Sequence, residues 1–151
     1  MDKIIIGCDP DSNKSGFAVY DEGHIELFSF SIIEFYKFLE FHNVNYDYME
    51  LHIENVKIKK AVWHSAKESR AAYGMTCQKV GQCKQVQTEI ERIAEHFGIK
   101  VVHHPVSKMW KDSKTGKAAL EKVFGYTGQS NEDSRSAAYF AHRALSLQKV
   151  K

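Results

Sequence analysis

Apolar and polar positions along the chain change period several times, and each change marks an element. Ile4-Ile5-Ile6 are three successive β-branched residues, which predicts a strand buried on both faces. Asp9-Pro10 closes it, since proline cannot continue the ladder. Gly16 to Tyr20 predicts a second strand, Asp21-Glu22-Gly23 a hairpin turn, and His24 to Ser31 a third strand. Ile32 to His42 carries Ile33, Tyr36 and Phe41 and predicts a buried helix, broken by Asn43-Val44-Asn45. From Tyr48 to Asn55, Met49, Leu51 and Ile53 alternate with Glu50, His52 and Glu54, the period of a strand.

Helical spacing takes over from Thr76 to Phe97, where Val80, Cys83, Val86, Ile90, Ile93 and Phe97 recur every three or four residues and Gly98 follows as C′. Ile99 to Val102 predicts a short parallel strand ended by Pro105. Ser107 is placed to cap a turn containing Trp110, and Ala118 to Phe124 predicts a helix with Gly125 as C′. A last helix opens at Ser130 and carries Ala137, Phe140, Ala141 and Ala144 as a small-residue face. Five strands interleaved with helices predict an α/β fold.

Two acids stand out against this pattern. An unpaired carboxylate is costly in a buried strand, yet Asp9 ends the most apolar strand of the chain. Asp-Pro is also a common turn starter, so residue type alone favours that role. Glu54 ends its strand as Asp9 ends the first, and C-terminal strand ends in a parallel region converge on one edge. Two carboxylates meeting there repel unless a cation lies between them, and Mg²⁺ or Mn²⁺ held by oxygen ligands supplies that charge. Glu50 reads instead as solvated sheet face, and His103 and His104 as partly exposed surface histidines. Glu132 and Asp133 complement the dipole of the last helix by their position alone.

Between Val56 and Met75 clear periodicity is lost. Lys57, Lys59, Lys60, Lys67 and Arg70 are interleaved with Trp63, His64 and Tyr73. Such a run is either solvated surface or a phosphate-binding segment, and Trp63 either stacks on an unpaired base or anchors its loop. Lys108, Lys111, Lys114 and Lys117 form a second basic cluster, which by itself reads as a solvated helix start. Net charge is only +2, so any basic surface must come from segregation of charge. Three cysteines, Cys8, Cys77 and Cys83, favour neither a disulfide framework nor a zinc site, and Cys77 and Cys83 read as small packing residues. With 151 residues, no apolar run near membrane-span length and no visible signal peptide, one cytoplasmic domain is expected.

Gly7-Cys8-Asp9-Pro10 with Gly16-Phe17-Ala18-Val19 resembles the first motif of the RuvC-type Holliday-junction resolvases, members of the RNase H-like nucleases. Ile53-Glu54-Asn55-Val56 resembles the second motif, and Asp133 with the Ala137-Ala138 run resembles the third. The resemblance spans nearly the whole chain, with the motifs in the right order. It implies an RNase H-like fold with a five-stranded mixed sheet flanked by helices, over residues 1–151 as one nuclease domain.

For function, the resemblance implies a phage-type crossover junction endodeoxyribonuclease that cuts four-way and branched DNA by paired phosphodiester hydrolysis. Asp9, Glu54 and Asp133 would be the catalytic metal ligands, with Asp9 bridging two Mg²⁺ or Mn²⁺ ions about 4 Å apart. The family's second acid of the third motif falls on Ser136, and Glu132 is the nearby acid that would compensate. DNA would be contacted by Lys57, Lys59, Lys60, Trp63, Lys67 and Arg70, and by Lys108, Lys114 and Lys117. The long helix would form a homodimer. Two other readings stay open: an RNase H-like nuclease on RNA–DNA hybrids or generic branched DNA, and a catalytically silent DNA-binding module of the same fold.

Overall fold

A computed structural model describes residues 3–42, 45–58 and 69–149. Strands β1 (Ile4–Asp9), β2 (Ser15–Asp21) and β3 (His24–Phe30) lead into α1 (Ile32–Phe41). Then come β4 (Met49–Glu54), α2 (Arg70–His96), β5 (Lys100–His104), α3 (Ser113–Phe124) and α4 (Glu132–Lys149). The strands form one mixed sheet in the order β3-β2-β1-β4-β5. β2 is antiparallel to β1 and β3, whereas β4 runs parallel to both β1 and β5. The expected five-stranded sheet with flanking helices is therefore present. The hairpin turn is also as expected, with Glu22 and Gly23 both at positive φ.

Side-chain alternation divides the sheet into two faces. Ile6, Cys8, Phe17, Met49, Leu51 and Ile53 pack against α1 and the second half of α2, through Phe35, Leu39, Val86 and Ile90. Phe17 stacks on Phe35 with ring centroids 4.5 Å apart. Each such fully buried side chain contributes about 1.5–3 kcal/mol of transfer free energy. The opposite face carries Ile5, Ala18 and the α4 alanines Ala137, Ala138, Ala141 and Ala144.

Two glycines set how closely α4 lies on that face. A Cβ at Gly7 would stand 2.0 Å from the carbonyl oxygen of Ala137, and one at Gly16 would stand 2.1 Å from the carbonyl of Asp133. With no side chain at either position, the helix backbone rests directly on β1 and β2. Its N-terminal turn is thereby brought beside the end of β1.

The structure departs from the sequence pattern at several elements. α2 begins at Arg70, six residues before the apolar periodicity, because Ser69 caps it by accepting from the Ala72 amide. β5 extends to His104, and α3 starts at Ser113 with Asp112 as its cap. α4 is capped by Asn131, whose Oδ1 accepts from the Ser134 amide, while Ser130 accepts from Arg135 instead.

Glu50, expected on a solvated sheet face, and His104, expected as a partly exposed surface histidine, are both buried beneath α4. They survive there because they are paired. Lys3 donates to Glu50, His52 Nε2 donates to Glu50 Oε1 at 3.1 Å, and His104 Nε2 donates to His52 Nδ1 at 2.8 Å. Burial opposes the charge of Glu50, but these hydrogen bonds outweigh it and hold its pKa below the usual value. Burial then keeps both imidazoles neutral, pushing the His104 pKa down to about 4.

Candidate active site

β1 and β4 are adjacent and parallel, so their C-terminal ends open on the same edge of the sheet. Asp9 and Glu54 stand at those ends, on the face covered by α4. Asp133 reaches the same edge from the first turn of α4, through the contact that Gly16 permits. The three carboxylates line one cavity of about 360 Å³. Glu132 is exposed and lines it too, whereas Ser136 is fully buried and does not. The sequence-predicted acids are thus brought together from three elements far apart in the chain.

Charge in this cavity is poorly compensated by the protein itself. Asp9 and Glu54 are 3% and 4% exposed, yet Asp9 Oδ2 and Glu54 Oε2 make no hydrogen bond. Burial raises the pKa of Asp9, opposed by the Lys111 charge. Burial and then the Asp9 charge push Glu54 up to about 8. Asp133 is pushed up to about 7 by burial, by contact with the Asp11 carboxyl and by the Asp9 charge. Carboxyls held this far above their ordinary range retain protons at neutral pH until a cation takes their place.

Lys111 brings a cation to the edge of the group. Its ammonium lies 3.3 Å from Asp9 Oδ2, as an ion pair without hydrogen-bond geometry. Burial works to lower the Lys111 pKa, but the charges of Asp9 and Glu54 outweigh it and the net shift is upward. The chain turns sharply here, with Trp110 at φ 67°. Arg135 fixes that turn, donating from Nε to the Trp110 carbonyl at 3.1 Å and from Nη2 to the Lys111 carbonyl at 2.8 Å. Gly116 makes room, since a Cβ there would lie 2.2 Å from the Trp110 oxygen.

Lys111 was legible only as one of four clustered lysines, and Arg135 carried no signal. Cys83, read as a packing residue, lines the cavity wall from α2 together with Lys79.

The proposed DNA-contacting residues are dispersed. Lys57 is in an ion pair with Glu91 at 2.6 Å. The loop that holds Lys57 is anchored by Gln87, fully buried, which accepts from the Val56 and Lys57 amides. Arg70, Lys108, Lys114 and Lys117 are exposed, and none lines the cavity. Lys59, Lys60, Trp63 and Lys67 lie outside the described residues.

The donor set fits a hard divalent cation. It consists of carboxylate oxygens, two of them buried without a hydrogen-bond partner, and Mg²⁺ or Mn²⁺ takes oxygen ligands of this kind. Among the described residues, no group of three or more acidic, histidine or cysteine side chains is arranged to hold a metal ion by itself. Mg²⁺ characteristically retains several waters rather than demanding an all-protein cage, so the carboxylates need not enclose it.

The sheet order, the crossover through α1 and the position of α4 define an RNase H-like fold. Among solved structures, the chain is similar to Thermus thermophilus RuvC in complex with a Holliday-junction substrate. That match has 13% identity, covers 93% of this chain and 96% of that one, and has a TM-score of 0.54. A second Thermus thermophilus RuvC structure matches at 14% identity, with the same coverage and a TM-score of 0.49. No family model matches the chain, and no curated protein matches it.

Proposed function

We propose that this protein is a divalent-metal-dependent endodeoxyribonuclease that resolves four-way and branched DNA junctions. The observation that carries this reading is the convergence of Asp9, Glu54 and Asp133 on one cavity, with two buried oxygens that lack hydrogen-bond partners and Lys111 at its edge. The RNase H-like fold, similar to a RuvC solved with a Holliday-junction substrate, supports the substrate class.

Asp9, Glu54 and Asp133 are the residues that would hold two Mg²⁺ or Mn²⁺ ions. When bound, the ions supply the Lewis acidity that activates water and the charge that stabilises the departing 3′ oxygen. Burial of Asp9 and Glu54 strengthens their hold on such charge by excluding competing water. Lys111 is positioned to exchange Asp9 for a phosphate oxygen of the substrate, and Arg135 holds its backbone while it does so. Exposed Arg70, Lys108, Lys114 and Lys117 would neutralise phosphates away from the cleavage point.

We further propose that residues 1–151 act as one nuclease domain in the cytoplasm, of the phage type. Paired nicks across a two-fold junction need two active sites, which favours a homodimer through α2. Among the described residues no helix is long and apolar enough to cross a membrane.

The direct test is cleavage of labelled four-way junction, RNA–DNA hybrid and linear duplex, with Mg²⁺ and with EDTA. The reading predicts metal-dependent paired nicks in the junction. Preference for the hybrid would make it a nuclease of the other kind, and binding without cleavage would make it a silent module.

A further inference from the structure

Asp11 is the acid to which neither the sequence motifs nor the reading above gives a role. It follows Asp9 by two residues, in the loop between β1 and β2, and lines the same cavity as Asp9, Glu54 and Asp133. Its place is built rather than incidental. The Asp11 amide donates to Ser15 Oγ at 3.0 Å, and Asp11 Oδ1 accepts from the Ser12 amide at 2.8 Å. Ser15 is itself buried, and the neighbouring Gly16 is where the Asp133 backbone rests on the sheet. The same short loop therefore fixes Asp11 and seats Asp133.

The two carboxyls meet. The Asp11 and Asp133 side chains lie against each other on the wall of the one cavity that Asp9 and Glu54 also line. Carboxyls in contact must share either a proton or a cation. An independent sign that a cation belongs here is Glu54, which lines the cavity at 4% exposure with Oε2 unpaired. Ser136 cannot serve as a charged ligand: its hydroxyl carries no charge, and it is fully buried behind Asp9 rather than on the cavity wall.

We infer that Asp11 supplies the fourth carboxylate of the divalent-cation site, joining Asp133 on one ion in place of the acid absent at Ser136. Charge balance agrees. Four carboxylates neutralise two divalent ions, leaving Lys111 as the net positive charge that meets a phosphate. Three would leave the site over-charged before substrate arrives, and the second ion more weakly held. This inference rests on the metal-dependent reading above, and metal binding without catalysis separates the two.

The experiment is a calorimetric titration of Mn²⁺ into the full chain and into Asp11→Asn, Glu132→Gln and Ser136→Ala, with proton release measured in buffers of different ionisation enthalpy. Unfolding in EDTA accompanies it. Wild type should bind two ions. Asp11→Asn should keep the first and bind the second about tenfold or more weakly. It should also release fewer protons, and be at least as stable as wild type in EDTA because a repulsion is removed. Glu132→Gln and Ser136→Ala should bind as wild type does. If Asp11→Asn binds both ions with wild-type affinity, or Glu132→Gln is the variant that loses one, Asp11 is not the ligand and the metal-dependent reading stands. If wild type binds no Mn²⁺, both fall together.

Discussion

Arg135 holds Lys111 by its backbone and not by its charge. The guanidinium is 4% exposed and donates to the Lys111 carbonyl at 2.8 Å, while the Lys111 ammonium points the other way, to Asp9 at 3.3 Å. One buried cation thus aims another at the carboxylate cavity. Arg135→Ala removes the donors from two carbonyls of a turn whose Trp110 already sits at positive φ. Stability should fall by about 1–3 kcal/mol for the acceptors left unpaired. Lys111→Met should instead leave stability nearly unchanged and lower the cleavage rate by about a hundredfold or more, as loss of a group that stabilises developing charge does. Urea unfolding and single-turnover cleavage of both variants check the division. Equal losses of stability would contradict it.

Stability of the metal-free protein should fall as pH rises. Glu54, with a usual pKa of 4.5, is held at about 8, and Asp133, with a usual 3.8, at about 7. Between those limits the folded state keeps protons that the unfolded chain has released, so the unfolding free energy decreases with pH. The midpoint of thermal unfolding in EDTA should be higher near pH 5 than near pH 8 at these two sites' expense, and added Mg²⁺ should stabilise most at the upper end. Glu54→Gln should flatten the slope. An EDTA midpoint that rises over this range would contradict the raised carboxyls.

Gly16→Ala tests the seat of Asp133. The new methyl would stand 2.1 Å from the Asp133 carbonyl, so α4 must shift. Overpacking of this kind costs about 1–3 kcal/mol, and the shift would also draw Asp133 away from Asp9. Weaker Mn²⁺ binding in a variant that still unfolds cooperatively is the expected result. Unchanged binding would mean that the helix end is not what places the acid.

Much of this arrangement was legible because strand period and strand end coincide at Asp9 and Glu54. An apolar strand that terminates in a carboxylate delivers it to the sheet edge whatever else the chain does. Glu50 and His104 were misread for the converse reason. Alternation gives Glu50 its face but not the α4 that covers it, and the missing ligand spacing of His104 says nothing of its bond to His52, which pairs with Glu50 beside the exposed Lys3. Lys111 was obscured among Lys108, Lys114 and Lys117, since the positive φ of Trp110 breaks any period by which one lysine could be singled out. The first turns of α2 carry no apolar period because residues 70–75 are largely exposed and present no core-facing stripe.

The proposed metal chemistry turns on Asp9. Asp9→Asn removes the charge at nearly constant shape and leaves Arg70, Lys108, Lys114 and Lys117 in place on the surface. The decisive measurement is four-way junction binding and cleavage in Mg²⁺ by wild type and this variant. Junction affinity should be retained and cleavage abolished. Cleavage by Asp9→Asn at the wild-type rate would contradict the account.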